Sequence, residues 1–434
     1  MSNIKVLIVT YYWPPYTGGG VHRWLKFSKY LSMLDVQPVI YTPSNPDYGL
    51  LDESLTEKIS PSVRVIKHPI REPYKFYKAL LPKSKRDKVN QPSQITGYKK
   101  GLLNRIVMYI RSNMFIPDPR IWWVRPSIRF LDHVIRQEKI DCVITTGPPH
   151  SMHLIGLGLK NRSGIKWIAD FRDPWSRIDF IQELTLTQKA YRKHQMLEKE
   201  VIENADARVT VSPSLAASFE ELHGPEFNVI TNGYDPDDYQ GLKPGEEDGL
   251  FRITYVGSLN KSRNPHHLWK LIGEKYHADQ KLRIRVKLIG SIDPSVFDDI
   301  RRAGITDLVE HNEQIPHQQG LQEMKSSDLL LLLINETPGN EGILPGKMFE
   351  YIAVGKPILC IGNPDGDCAR VIRSGRFGYA VSGDDLAAMN SVIDQAIEGT
   401  LPRSPEQTAD SEFSVRSLAM KYRDLIEEVI HGPS

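Results

Sequence analysis

The chain has 434 residues, more than one ordinary domain holds and suited to two α/β domains of roughly 200 residues each. Hydrophobic residues make up 40% and charged residues 25%, which excludes wholesale disorder, and a formal net charge of +2 leaves any basic function to a local patch rather than to the whole molecule. Three cysteines, Cys142, Cys360 and Cys368, are too few for a disulfide framework and have no metal-ligand spacing; they read as packing residues in a reducing compartment.

In chain order, residues 4–10 are a β-branched run that leads into a loop with Pro14, Pro15 and three consecutive glycines, and then into a helix over residues 21–33. That opening predicts a doubly wound α/β domain. Because the run at 4–9 is short and breaks directly into a Pro/Gly loop, no leader peptide is expected. No apolar segment reaches the roughly 18 residues of a membrane span, so a cytoplasmic location is expected. Further strands are predicted at 37–41, 140–145, 166–169, 207–211 and 228–231. Each ends in a Gly, Pro or Ser turn, the pattern of a parallel sheet with a site at its carboxyl edge. Residues 235–250, rich in Pro, Gly and acidic side chains, read as a linker. A second α/β unit follows, with strands at 252–256, 283–289, 328–334 and 357–361, helices at 265–275 and 347–354, and a final helical pattern over 412–430.

Chemistry concentrates at the strand ends. Gly18, Gly19 and Gly20 read either as a tight turn needing positive φ or as a place where a hydroxyl-rich or anionic ligand approaches a helix N-terminus. His150 and His153 follow Pro148 and Pro149 after a strand, where a substrate contact competes with a structural role. Asp170, Arg172 and Asp173, flanked by Phe171 and Trp175, suit holding a sugar or polarising a hydroxyl; the alternative is an N-cap plus an ion pair. Gly257, Ser258, Lys261 and Arg263 suit a diphosphate, against a merely solvated basic loop. Lys347 falls in the first turn of a helix, where the dipole disfavours a cation, so a bound anion is expected beside it. Glu350, one turn on, is placed to accept ribose hydroxyls, against an ordinary surface Lys–Glu pair.

The stretch from Pro345 through Lys347, Glu350 and Tyr351 to Gly355-Lys356-Pro357 resembles the donor-binding helix of glycosyltransferase family 4, retaining enzymes of the GT-B fold. Tyr255-Val256-Gly257 is similar to that family's diphosphate turn, and residues 17–20 to its acceptor loop. Residues 145–153 and 170–175 resemble a bacterial branch that builds surface polysaccharides. The resemblance implies two doubly wound, Rossmann-like domains facing an interdomain cleft: an acceptor domain at 1–235, a linker at 236–250, a donor domain at 251–411, and a C-terminal helix at 412–434 packing back on the first domain. It implies a nucleotide-sugar donor, a glycan or lipid-linked acceptor, retention of configuration and no cofactor or essential metal. Donor contacts are expected from Gly257, Ser258, Lys261, Arg263, Glu341, Gly342, Leu344, Pro345, Lys347 and Glu350. The family's paired glutamate, counted back from Glu350, falls on Gly342, and Glu341 beside it is the expected substitute. Acceptor contacts are expected from Gly18, Gly19 and Gly20, and catalytic contacts from Asp170, Arg172, Asp173, His150 and His153. Two other functions stay open, a nucleotide-sugar epimerase on the same fold and a membrane-associated scaffold whose sugar site has decayed.

Residues 71–112 carry Lys75, Lys78, Lys83, Lys85, Arg86 and further basic residues interleaved with Tyr74, Phe76, Tyr77, Leu80 and residues 106–110, against only Glu72 and Asp87. This pattern suits peripheral contact with an anionic membrane, against a solvated insertion; with no recognised nucleic-acid module, RNA is not expected as a partner.

Overall fold

The strand β1 (Ile4–Val9) lies between two parallel neighbours that occupy both of its edges, and residues 6–9 are buried without alternation, as in a parallel sheet covered on both faces. The computed structural model describes residues 4–49, 51–72, 109–177, 186–243, 245, 248–279, 283–313, 315–335, 339–401 and 404–432. Within these the chain divides into two units, residues 1–231 with 418–434, and residues 232–417.

In unit 1, β1 is joined by β2 (Val36–Pro43), β3 (Arg64–His68), β4 (Cys142–Gly147), β5 (Lys166–Phe171), β6 (Ala207–Thr210) and β7 (Asn228–Val229). They form one seven-stranded sheet in the order β3-β2-β1-β4-β5-β6-β7, and every adjacent pair is parallel. Crossovers include α1 (Gly19–Leu31), α2 (Ser54–Glu57), α3 (Ile121–Glu138), α4 (Ser151–Ser163), α5 (Gln188–Asn204) and α6 (Pro213–His223). Caps set their ends: the Thr187 hydroxyl accepts from Ala190 N–H at the start of α5, and Gly164 closes α4 in the left-handed region. The core runs through Leu7, Val9, Val143, Trp167 and Phe171.

Unit 2 repeats the plan with β8 (Phe251–Val256), β9 (Ile284–Ile289), β10 (Val309–Asn312), β11 (Leu329–Leu333), β12 (Ile358–Ile361) and β13 (Gly378–Val381), in the order β10-β9-β8-β11-β12-β13, again parallel throughout. Its helices include α7 (His266–Ala278), α8 (Pro294–Arg302), α9 (His317–Lys325), α10 (Gly346–Val354), α11 (Asp367–Ser374) and α12 (Leu386–Ile397). The last helix, α13 (Val415–His431), belongs to unit 1 from Leu418 onward.

Each sheet reverses its strand order once, between β1 and β4 in unit 1 and between β8 and β11 in unit 2. Ligands of open α/β sheets bind outside the carboxyl ends of the strands at such reversals. Most of the basic 71–112 segment, residues 73–108, lies outside the described residues. Glu72, at its start, is buried rather than part of a solvated basic surface: it accepts from the Tyr11 hydroxyl at 2.8 Å and pairs with Arg120 at 3.2 Å. Among the described residues no helix is long and apolar enough to cross a membrane.

Candidate functional site

At the unit 2 reversal, β8 ends in Gly257, whose φ of +123° is open to glycine and strained for any other residue. A Cβ at Gly257 would lie 3.4 Å from the Lys347 Nζ, so the ammonium is packed against this turn. Lys347 stands in the first turn of α10, a helix with no acidic residue there and with Pro345 as its N-cap. Its Nζ lies 4.0 Å from the Tyr255 ring centroid and makes no ion pair among the described residues. Burial, and then the nearby Arg263 guanidinium, push the Lys347 amine down to about 7. The alternative reading, an ordinary surface pair of Lys347 with Glu350, is not seen among the described residues. Glu350 instead meets the His317 Nε2 of α9 at 3.0 Å, a partner that sequence reasoning missed; its signal was a histidine at a helix start after a strand.

Arg263 is pinned from one side, donating Nε to Asn260 Oδ1 at 3.2 Å and NH2 to the Ser258 carbonyl at 3.0 Å. The Ser258 carbonyl also accepts from the Tyr255 hydroxyl at 2.8 Å, so Ser258 shapes the turn through its backbone. Lys261 is exposed. Tyr351 explains the tyrosine of the Pro345–Pro357 motif: its buried hydroxyl accepts from Val256 N–H at 3.0 Å and reaches the Leu331 carbonyl at 3.3 Å, fastening α10 to the two strands at the reversal. Glu341 is exposed and Gly342 half-buried, and the Glu341 carbonyl accepts from Asp367 N–H at 2.7 Å. Leu344 corrects one expectation. Its side chain is buried in the core with Met348, Phe349 and Ile352, so it supports the loop and is withdrawn from ligand contact.

Unit 1 rearranges the expected catalytic cluster. The Asp170 carboxylate has no exposed surface and every oxygen is occupied. Oδ1 meets Arg23 NH2 at 2.9 Å and the Tyr422 hydroxyl at 2.8 Å; Oδ2 meets Arg23 Nε at 3.1 Å, Trp24 Nε1 at 2.9 Å and the Thr146 hydroxyl at 2.9 Å. Burial alone would raise its pKa, but Arg23 and the two hydroxyls hold it below the usual carboxylate range. Asp170 is thus a structural node and not a residue open to an acceptor. His153 is fully buried, stacked on Phe171 at 4.3 Å, and pushed down to about 3 by burial. His150 is stacked on Trp175 at 4.7 Å and is lowered too, by burial and then by His153. Both imidazoles are neutral at physiological pH, so neither cycles a proton as a general base titrating near 7. Trp175 is likewise buried, its indole donating to His194 Nδ1 at 3.1 Å, so it is no platform for a sugar.

Two residues of the cluster remain reachable. Arg172 donates to the Gly147 carbonyl at 3.2 Å and to the Pro148 carbonyl, and has no carboxylate partner among the described residues. Its NH1 lies 2.9 Å from where a Gly20 Cβ would stand, which joins the third strand-end segment to the glycine loop. Asp173 is half-buried, with burial raising its carboxyl and Arg172 opposing. The glycines serve close approach rather than positive φ. Gly18 has φ −77°, and a Cβ there would strike the Tyr16 hydroxyl at 1.8 Å; one at Gly20 would strike Tyr12 at 2.6 Å; Gly19 faces open space.

Residues 95–238 match the model of Glycosyltransferase Family 4. No curated protein matches the sequence significantly. Among solved structures the chain is similar to the sucrose-phosphate synthase of Thermosynechococcus elongatus, with a TM-score of 0.61 and 12% identity over 99% of this chain and 100% of that one. It is similar to a glycosyltransferase from Rickettsia africae, with a TM-score of 0.61 and 13% identity over the whole of both chains. It is also similar to WaaG, described as a glycosyltransferase involved in lipopolysaccharide biosynthesis, with a TM-score of 0.52 and 15% identity over 99% of this chain and 100% of that one. Two parallel sheets of this order and these likenesses make the fold GT-B, and residues 95–238 carry the sequence likeness to Glycosyltransferase Family 4.

Proposed function

We infer that this protein is a glycosyltransferase whose second unit binds a nucleotide-sugar and whose first unit binds the acceptor. One observation carries the reading: the Lys347 ammonium, held at the strand-order reversal of unit 2 beside Arg263 with no carboxylate paired to it among the described residues. Two neighbouring cations at a glycine turn and a helix start are costly unless an anion joins them, and a diphosphate supplies that charge. Glu350, on the same helix, takes the ribose hydroxyls, with His317 as its partner in the free protein. Arg263 and Lys347 offset the negative charge that builds on the departing diphosphate, so the reading requires no essential metal. Arg172, Asp173 and the Gly18–Gly20 loop are the acceptor-side contacts.

Retention of configuration rests on the resemblance of residues 345–357 to glycosyltransferase family 4, and a role in bacterial surface-polysaccharide synthesis on that of residues 145–153 and 170–175 to its bacterial branch. The fold likeness to a lipopolysaccharide glycosyltransferase is in keeping with the second. A cytoplasmic location, with the 71–112 segment at the inner face of the membrane, completes the reading; Tyr109 and Ile110, at its described end, are exposed.

Calorimetry with nucleoside diphosphates tests the proposal. Binding is expected in the parent, and Glu350→Ala should weaken it by roughly 1.5–3 kcal/mol through loss of a charged hydrogen bond. Equal affinity in a folded Glu350→Ala protein removes that assignment, and absence of any nucleotide binding removes the reading. Turnover of a nucleotide-sugar only when acceptor is present separates transfer from epimerisation.

A further inference from the structure

The helix α9 opens on His317 directly after Pro316, whose ring restricts φ, here −55°, and sets the direction in which the helix starts. It is fastened to α10 along its length. Leu321 and Met324 are buried in one core with Met348, Phe349 and Ile352, and at the far end Lys325 Nζ donates to the Val354 carbonyl at 2.9 Å. The first residue of α9 is thereby held beside the second turn of α10, where the His317 Nε2 meets Glu350 Oε1 at 3.0 Å. An ionised carboxylate only accepts, so this bond places a proton on Nε2.

Both side chains of the pair reach solvent, His317 with 47% and Glu350 with 25% exposure, so neither serves to fill the core. A pair this exposed adds little to stability. What it supplies is the orientation of the carboxylate. A glutamate has three rotatable bonds, and the ordering of such a side chain opposes any binding that needs it in one place. A donor that already fixes the carboxylate removes that cost in advance. A carboxylate offers about four acceptor sites, so one bond to His317 is compatible with accepting two ribose hydroxyls.

We propose that His317 is a positioning residue that holds Glu350 for the ribose and thereby sets a preference for ribonucleotides over 2′-deoxyribonucleotides. The proposal rests on the nucleotide-sugar reading of unit 2 and adds a residue to it. It separates two groups of contacts. Lys347 and Arg263 are assigned to phosphate, which both kinds of nucleotide carry. Glu350 is assigned to the sugar hydroxyls, of which the deoxy sugar lacks one. Loss of the His317 donor therefore weakens the ribonucleotide more than its deoxy counterpart.

The test is calorimetry on the full chain with ADP, GDP, UDP and CDP, each beside its 2′-deoxy counterpart. The parent should favour the ribo form of its best nucleotide by roughly tenfold or more, the range of one hydrogen bond to a charged group. His317→Ala should weaken the ribo form roughly three- to tenfold and the deoxy form less, so that the preference shrinks by about threefold or more. His317→Gln, whose side-chain amide again offers an N–H, should restore most of the preference. In a Glu350→Ala background His317→Ala should change neither affinity, because the two residues act as one unit. Denaturant unfolding checks that each variant is folded, and His317→Met, which fills the space without a donor, replaces an Ala variant that is not. Equal loss of both affinities in His317→Ala, no loss, or tighter ribonucleotide binding overturns the proposal and leaves the nucleotide-sugar reading standing, as does a parent that binds both forms equally. Absence of any nucleoside diphosphate binding in the parent overturns both.

Discussion

The Arg23 guanidinium grips the Asp170 carboxylate through two nitrogens, at 2.9 and 3.1 Å, with side-chain exposures of 2% and 0%. Arg23 also donates to the Ile230 and Thr231 carbonyls at 2.8 and 2.9 Å, and Asp170 collects Trp24, Thr146 and Tyr422. The pair therefore binds α1, β4, β5, the end of β7 and α13 into one buried polar node. Such a node, once broken on one side, leaves an uncompensated charge in the interior.

Asp170→Asn should accordingly destabilise unit 1 by about 3–5 kcal/mol, read from denaturant unfolding of the purified protein. The loss should track the unfolding midpoint and leave nucleoside diphosphate affinity at low denaturant unchanged. A stable Asp170→Asn protein with selectively lost turnover would return Asp170 to a catalytic role.

Nucleoside diphosphate binding should depend on pH through Lys347. Burial and Arg263 depress this amine to about 7 in the free protein, and a bound diphosphate raises it again. Below pH 7 Lys347 is already charged, so its contribution is fully present. Above 7 binding must take up a proton, and affinity should fall by up to about tenfold per pH unit until the bound-state pKa is passed. Lys347→Arg keeps its charge throughout and should remove this dependence, while the ligand's own titration stays common to both. Calorimetry in buffers of different ionisation heat measures the proton uptake directly; equal uptake in parent and Lys347→Arg would dissociate Lys347 from the site.

Arg263 should matter more to turnover than to ground-state binding, because its contact strengthens as charge develops on the leaving diphosphate. Arg263→Ala is expected to lower kcat by roughly 10²-fold with a smaller change in acceptor KM. Unchanged kcat would mean that its hydrogen bonds to Asn260 and the Ser258 carbonyl are all that it does.

The 71–112 segment should bring the protein to anionic vesicles at low salt and release it as salt rises, since each cation near an anionic leaflet contributes about 1 kcal/mol and is screened beyond roughly 8 Å. Exposed Tyr109 and Ile110 at its end should add apolar insertion. Co-sedimentation with neutral and anionic vesicles measures this; equal binding to both, or to neither, makes the segment an ordinary insertion.

The sequence by itself determined what is local. The unbroken apolar runs at 6–9 in β1 and throughout β11 belong to strands covered on both faces, so they announce parallel central strands directly. The helix that carries Lys347 and Glu350 begins after Pro345 and ends at Gly355 in the left-handed region, and both signals lie within the segment itself. The strands β3, β10 and β13 escaped notice because they are short, mostly partly exposed and at or near sheet edges, where the apolar signal is weakest. Tertiary structure alone decided which polar residues are free. Asp170 and Arg172 stand two positions apart in one motif, yet Asp170 is consumed by Arg23, 147 residues away, and by Tyr422, 252 residues away, while Arg172 remains open to a ligand. Loop composition cannot foretell this, because a carboxylate's availability depends on which distant donors the folded chain carries to it.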